Sequence, residues 1–198
     1  KDAIPEVPIP FTKWPNSVIG PGEPIPSYLD YSNSTDYEGE LGVVIGPGGR
    51  GIAKKDAYDH VYGYTIINDA TARTLQNRHK QWFLGKSIDG YCPMGPCIVT
   101  ADEVPDVNKL HLTTRVNGEV RQEGSTRDMI HSIPKLVSYM SQMTLMPGDI
   151  ISTGSPGGGG LANPDWYLNA GDVIECEIEK IGVLVNAVVN EPRLTGHK

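Results

Sequence analysis

The stretch Asp36-Tyr37-Glu38-Gly39-Glu40-Leu41-Gly42-Val43-Val44-Ile45-Gly46 constrains the chain more than any other. Read as a β-strand, it sends successive side chains to opposite faces, so Leu41, Val43 and Ile45 share one face. Glu38 and Glu40 share the other, roughly 7 Å apart along the strand, and Gly42 and Val44 continue it. Two carboxylates on a strand that turns apolar at once repel each other and lose hydration. A divalent cation held between them relieves both problems. Taken alone, an E-x-E reads equally as a solvated strand end. Glu175, Glu177 and Glu179 provide the comparison: they share a face at the same spacing, but that whole face is charged, as on a half-exposed antiparallel strand.

The rest of the chain reads as short β runs punctuated by Pro and Gly. Residues 1–35 carry Pro5, Pro8, Pro10, Pro15, Pro21, Pro24 and Pro26, which resist helix and predict extended segments wrapping the domain. Asp56 to His60 reads as a helical turn capped by Asp56. Val61 to Ile67 is a second buried strand, and Asn68-Asp69 at its end predicts a helix over Ala70 to Gln76. Ile98-Val99 reads as a short strand. Leu110 to Val116 and Glu119 to Gln122 form a hairpin through Asn117-Gly118. Ser132 caps a helix through Met140, with Pro134 tolerated in its first turn. Val173 to Glu179 alternates, with Ile174, Cys176 and Ile178 inward, and Ile181 to Val189 completes a last hairpin. No repeat and no linker interrupts 198 residues, a length suited to one domain. The expected class is β-rich α+β, with a Pro-rich wrapping segment over 1–35 that is part of the same domain as 36–198.

A divalent ion needs a third hard ligand, and Asp69, at the end of a buried strand, is the best candidate. Its competing role is helix capping. Three carboxylates without His or Cys suit Mg²⁺ or Mn²⁺. Lys86, after Gly85 and an aromatic-apolar run, could neutralise a substrate oxyanion or lose its proton and act as a base; alone it is a surface lysine. Thr153, Gly154 and the glycines that follow could present backbone N–H groups to a carboxylate, or form only a mobile lid. The loop lacks the GK[ST] ending of a phosphate-binding loop, which argues against nucleotides.

Lys+Arg 17 against Asp+Glu 24 gives a net charge of −7 with no basic run, which disfavours nucleic acid and anionic membranes as partners. The three cysteines, Cys92, Cys97 and Cys176, make no disulfide framework and point to a reducing compartment, hence the cytoplasm. No apolar stretch is long enough to cross a bilayer, and no signal-peptide pattern opens the chain. The five histidines (His60, His79, His111, His131, His197) match no zinc-protease pattern, and no G-x-S-x-G elbow appears.

Several segments, in order, resemble the fumarylacetoacetate hydrolase family. They are Asp36 to Leu41, Gly63 to Arg73, Gly85-Lys86-Ser87, Cys92-Pro93-Met94-Gly95-Pro96, and Met146 to Gly154. The resemblance implies layered, rolled β-sheets, a homodimer, and a site at one mouth of the sheets. It also implies that Glu38, Glu40 and Asp69 are metal ligands and Lys86 the active-site lysine. Gln76 and Thr153 would contact substrate, Thr153 at its carboxylate; Arg73 lies in the same motif without an assigned role. The implied substrates are small anionic 2-oxo acids. Expected first is metal-dependent hydrolysis of an acylpyruvate-type C–C bond such as that of fumarylpyruvate. The alternatives are decarboxylation of oxaloacetate-like acids and isomerisation or hydration of dienoates in aromatic catabolism. A metal- or acid-binding β-domain without activity is the non-enzymatic alternative.

The sequence departs from the family pattern in two places. The family's Asn-Tyr-x-x-His-x-x-Glu segment, whose His and Glu activate water in hydrolytic members, belongs just before a stretch like Pro5 to Phe11. Lys1 begins in mid-pattern, so such a segment is expected ahead of it. Gly157 to Gly160 replaces a usual Gly-Val-Gly ending, which predicts a more mobile loop.

Overall fold

The β-branched runs of the chain become strands, with Gly or Pro at or beside several of their ends. The computed structural model describes residues 4–27, 33–78 and 80–190; part of the wrapping segment (28–32), His79 and His197 lie outside the described residues. In chain order the strands are β1 (Val18–Ile19), β2 (Ile25–Pro26), β3 (Thr35–Asp36), β4 (Gly39–Ile45), β5 (Val61–Asn68) and β6 (Thr71–Ala72). They continue with β7 (Cys92–Thr100), β8 (His111–Val116), β9 (Glu119–Ser125), β10 (Ile150–Ser152), β11 (Val173–Ile178) and β12 (Gly182–Val189). Two five-stranded sheets form, ordered β1-β7-β5-β4-β10 and β2-β12-β11-β8-β9, together with a two-stranded ribbon of β3 and β6. The α-helices are α1 (Arg73–Arg78), α2 (Phe83–Lys86) and α3 (Ile133–Met140). This is the β-rich α+β class expected. Leu41, Val43 and Ile66 of the first sheet and Leu112, Ile174, Ile178 and Leu184 of the second share one buried core.

The Pro-rich N-terminal stretch joins both sheets. β1 lies parallel to β7, with Val18 opposite Cys92, and β2 lies parallel to β12, with Ile25 opposite Val188. Short edge strands are where Pro is tolerated in a sheet. β11 alternates as read from sequence, with Ile174, Cys176 and Ile178 buried. The β8–β9 hairpin turns at Asn117, whose φ of 54° is the left-handed value its turn needs. Ser132 stands at the N-cap of α3 with Pro134 in the first turn, although its side chain makes no capping bond.

Three local readings are corrected. The helix expected over Ala70 to Gln76 begins only at Arg73, because Thr71–Ala72 pair with Thr35–Asp36 instead. Asp69 is therefore no helix cap. The short strand at Ile98-Val99 is part of β7, nine residues that include two prolines. Pro96 is accommodated because the β5–β7 register shifts between Tyr64 and Ile66, which leaves it at a bulge where no ladder donor is required. Asp56 sits inside a 3-10 helix, Lys54–His60, that starts after Ala53, so it is not the cap.

Candidate metal centre

Glu40 lies within β4, Glu38 immediately precedes it, and Asp69 immediately follows β5. The antiparallel pairing of β4 with β5 sets Gly39 opposite Asn68. That register places Glu38 beside Asp69, whose N–H donates to the Glu38 carbonyl at 2.8 Å. Asn68 holds the turn from within, its Oδ1 accepting the Glu38 N–H at 3.0 Å. One carboxylate oxygen from each of Glu38, Glu40 and Asp69 lies within 4.8 Å of the others, with Glu40 and Asp69 buried and Glu38 half-buried. The sequence reading brought these three together, and the structure does the same.

Three cations surround them. Lys86, the last residue of α2, donates from Nζ to Asp69 Oδ2 at 2.7 Å and to Glu38 Oε2. Gly85 permits this position: a Cβ there would stand 2.6 Å from the Gln76 backbone nitrogen and 2.8 Å from the Ala72 carbonyl, so α2 could not pack against α1. Arg73 is buried at the start of α1. Its Nη2 donates to Glu38 Oε1 at 2.7 Å, its Nε to Asp36 Oδ2 at 2.8 Å and its Nη1 to Gln76 Oε1 at 3.0 Å. Lys13 donates to Asp69 Oδ1 and to the Ala70 carbonyl at 3.1 Å. No sequence signal marked Lys13; a lone lysine among prolines belongs to no motif. It arrives because the N-terminal segment is tied to α2, where the Trp14 N–H donates to Ser87 Oγ at 3.0 Å. The same segment lays the Phe11 ring 5.1 Å from Lys86 Nζ, with Trp82 edge-on to Phe11 at 5.5 Å.

The charges divide unevenly. Burial works to raise the Asp69 carboxyl, but Lys13 and Lys86 overcome it and hold Asp69 below the usual carboxylate range. Burial likewise opposes the Lys86 ammonium, yet Asp69 and Glu38 hold its pKa above the ordinary lysine value. In this arrangement the two carboxylates favour the charged form of Lys86. Glu40 is different: burial, then repulsion from Asp69 and Glu38, pushes it up to about 8. Its hydrogen-bond partners are neutral, the Ser152 hydroxyl and the Gly154 N–H at 2.9 Å. A buried carboxyl group with no ion-pair partner among the described residues, facing two others, is a fit for a divalent ion, and the all-oxygen donor set suits a hard one.

The Gly-rich segment serves the protein's own carboxylates. The Gly154 N–H goes to Glu40, the Gly160 N–H goes to Asp36 Oδ1 at 2.7 Å, and the Thr153 hydroxyl donates to the Leu41 carbonyl at 3.0 Å. The Pro156 carbonyl accepts from Gln122 Nε2 at 3.0 Å, so the loop expected to be mobile is tethered at its middle and far end. Gln76 is buried on α1, next to the site through Arg73.

A layered β fold here brings three carboxylates, flanked by lysines, close enough together to share one cation. A family model described as fumarylacetoacetate (FAA) hydrolase C-terminal matches residues 1–189. The chain belongs to the fumarylacetoacetate hydrolase family. The oxaloacetate tautomerase YisK of Bacillus subtilis (strain 168) is 52% identical over 187 residues, which cover 93% of this chain and 62% of that protein. Among solved structures, a fumarylacetoacetate hydrolase from the psychrophilic Exiguobacterium antarcticum superposes with a TM-score of 0.88 at 48% identity, covering 91% of this chain and 66% of that one. A 5-carboxymethyl-2-hydroxymuconate delta-isomerase from Mycobacterium smegmatis gives a TM-score of 0.88 at 38% identity, covering 98% and 73%. The chain spans 60–62% of the length of the curated relatives it matches. Among the described residues no helix is long and apolar enough to cross a membrane.

Proposed function

We propose that the chain is the catalytic unit of a divalent-metal-dependent enzyme that acts on a small 2-oxo acid through its enol or enolate. Tautomerisation or double-bond isomerisation is the reaction favoured. The observation that carries this reading is the convergence of Glu38, Glu40 and Asp69 within 4.8 Å, with the Lys86 ammonium against two of them. These carboxylates would hold Mg²⁺ or Mn²⁺, which supplies a Lewis acid for the 2-oxo group. Lys86 and Lys13 bring fixed positive charge to the place where the substrate oxygen becomes an oxyanion, a contribution of roughly several kcal/mol in a buried site. Gln76 and Thr153 are the proposed contacts to the substrate's oxygens. Thr153, whose N–H and hydroxyl both donate to the Leu41 carbonyl, would turn its hydroxyl to reach them, and Gly154 closes the side next to Glu40. Because Lys13 and Phe11 come from the N-terminal stretch, residues 1–35 form one catalytic unit with 36–198.

Enol chemistry is favoured because a divalent ion held by the carboxylate cluster, with Lys86 beside it, would stabilise an enolate directly. Names among the relatives support the same choice: one is an oxaloacetate tautomerase and another a delta-isomerase. C–C hydrolysis of an acylpyruvate is the second reading, supported by the family model's description and by the Exiguobacterium structure.

The test is a panel of oxaloacetate, fumarylpyruvate, acetylpyruvate and a 2-hydroxydienoate, followed by enol absorbance and CO₂ release. Accelerated keto–enol exchange of oxaloacetate, silenced by a chelator and restored by Mg²⁺ or Mn²⁺, is the expected result. Turnover that survives chelation refutes the metal-dependent reading. Cleavage of an acylpyruvate without enol exchange replaces it with hydrolysis.

A further inference from the structure

Asp36 is fully buried, its carboxylate hydrogen-bonds none of the proposed metal ligands among the described residues, and it is not needed by the chemistry above. Three donors nevertheless converge on its carboxylate: Arg73 Nε at 2.8 Å, the Gly160 N–H at 2.7 Å and the Tyr37 N–H at 3.0 Å. Gly159 packs against it with φ +79°, where an added Cβ would stand 2.8 Å from Asp36 Oδ1. The end of the Gly-rich loop is thereby built around this one carboxylate.

Arg73 carries the consequence into the site. A guanidinium has a fixed planar fork and only donors. With Nε held by Asp36, its Nη2 is aimed at Glu38 Oε1 and its Nη1 at Gln76 Oε1. Two things follow. Glu38 has Oε1 occupied by Arg73, while its Oε2 accepts from Lys86. Gln76 must present its oxygen to Arg73, because no acceptor exists there; its Nε2 then has no protein partner among the described residues.

We infer that Asp36 is a positioning residue: through Arg73 it fixes Gln76 as a hydrogen-bond donor toward substrate oxygen and fixes which Glu38 oxygen faces the metal. The inference deepens, and rests on, the 2-oxo acid reading. It makes the site selective for ligands that bring an acceptor, a carboxylate or carbonyl oxygen, to Gln76. It also ties the end of the Gly-rich loop to the same pair, so the loop that closes on Glu40 at Gly154 reports on Asp36 at Gly160.

Oxalate titrated into Mn²⁺-loaded protein by calorimetry is the probe. Gln76→Leu and Asp36→Asn are each expected to weaken oxalate by about tenfold, the worth of one hydrogen bond to a charged group. Asn at position 36 turns an amide donor against Arg73 Nε and releases the fork. Because both substitutions remove the same contact, the double variant should be no weaker than either alone, within about twofold. Losses that multiply, to about a hundredfold, or an unchanged affinity in folded Asp36→Asn, overturn the inference. If Asp36→Asn does not fold, Arg73→Lys, which keeps the charge but not the fork, takes its place in the same cycle. A ligand-free measurement separates this inference from the functional reading. The Arg73 Nε–H resonance should exchange slowly in the wild type and be lost in Asp36→Asn. Fast exchange in the wild type overturns the positioning role whatever the protein binds. Slow exchange in a protein that takes up Mn²⁺ but not oxalate supports it and sinks only the 2-oxo acid reading.

Discussion

Glu40→Gln should make the metal-free protein more stable while removing its metal site. The Glu40 carboxyl is buried and repelled by Asp69 and Glu38, which pushes its pKa from 4.5 to about 8. Between those two values the folded chain holds a proton that the unfolded chain has released. Stability therefore falls as pH rises through that window, by ~1.4 kcal/mol per pH unit. By neutral pH the accumulated cost is about 3 kcal/mol. Asp69 shifts in the opposite direction, below the usual carboxylate range, and Lys86 above the usual lysine value, so neither contributes slope there. Gln cannot ionise. Its oxygen, in the place of Oε2, can accept both the Ser152 hydroxyl and the Gly154 N–H.

The assay is urea unfolding of wild type and Glu40→Gln from about pH 6 to about pH 8, in chelator and again with saturating Mg²⁺ or Mn²⁺. In chelator the wild type should lose stability with pH while Glu40→Gln stays flat and is the more stable at neutral pH. The ion should remove the wild-type slope, because it takes the place of the proton, and should leave Glu40→Gln unchanged. A wild type whose stability is flat over this range, or a Glu40→Gln less stable than wild type in chelator, refutes the charge argument and with it the fit to a metal.

Asp69→Asn should keep the fold but lower Mn²⁺ affinity by more than about tenfold, measured by electron paramagnetic resonance of free Mn²⁺; wild-type affinity would remove Asp69 from the ligand set. Lys13→Met should destabilise the chelated protein by about 1–3 kcal/mol, because Asp69 loses a charged partner. The cost should shrink when Mn²⁺ saturates the site, and an equal cost in both states argues against competition for Asp69. At mildly alkaline pH a thiol reagent should modify Cys97 alone, since it is exposed. Burial pushes the Cys92 thiol up to about 11 and the Cys176 thiol up to about 12, so both should react only after unfolding. Rapid reaction of more than one thiol in the folded protein contradicts this.

What the sequence made legible was local. Period-two alternation told which face Glu38 and Glu40 occupy, and the apolar continuation at Gly42 and Val44 separated them from Glu175, Glu177 and Glu179, whose face is charged throughout. The end of a buried strand singled out Asp69, though whether as ligand or helix cap stayed open. That alternative fell for a reason no single segment contains: Thr71 and Ala72 find Thr35 and Asp36 opposite them and extend a ribbon, which delays the helix to Arg73. The β7 strand was hidden for a similar reason, because a proline forbids a ladder bond only where the register asks for one, and the register skips at Pro96. Lys13 and Asp36 were missed as members of the site because their roles belong to partners distant in sequence. Lys13 acquires meaning only when the N-terminal segment is fastened at Ser87, and Asp36 only when Arg73 and Gly160 close on it. Periodicity tells which way a side chain points but not which strand lies across from it. It is the register of Gly39 against Asn68 that turns a strand-edge pair of glutamates and a strand-terminal aspartate into one site.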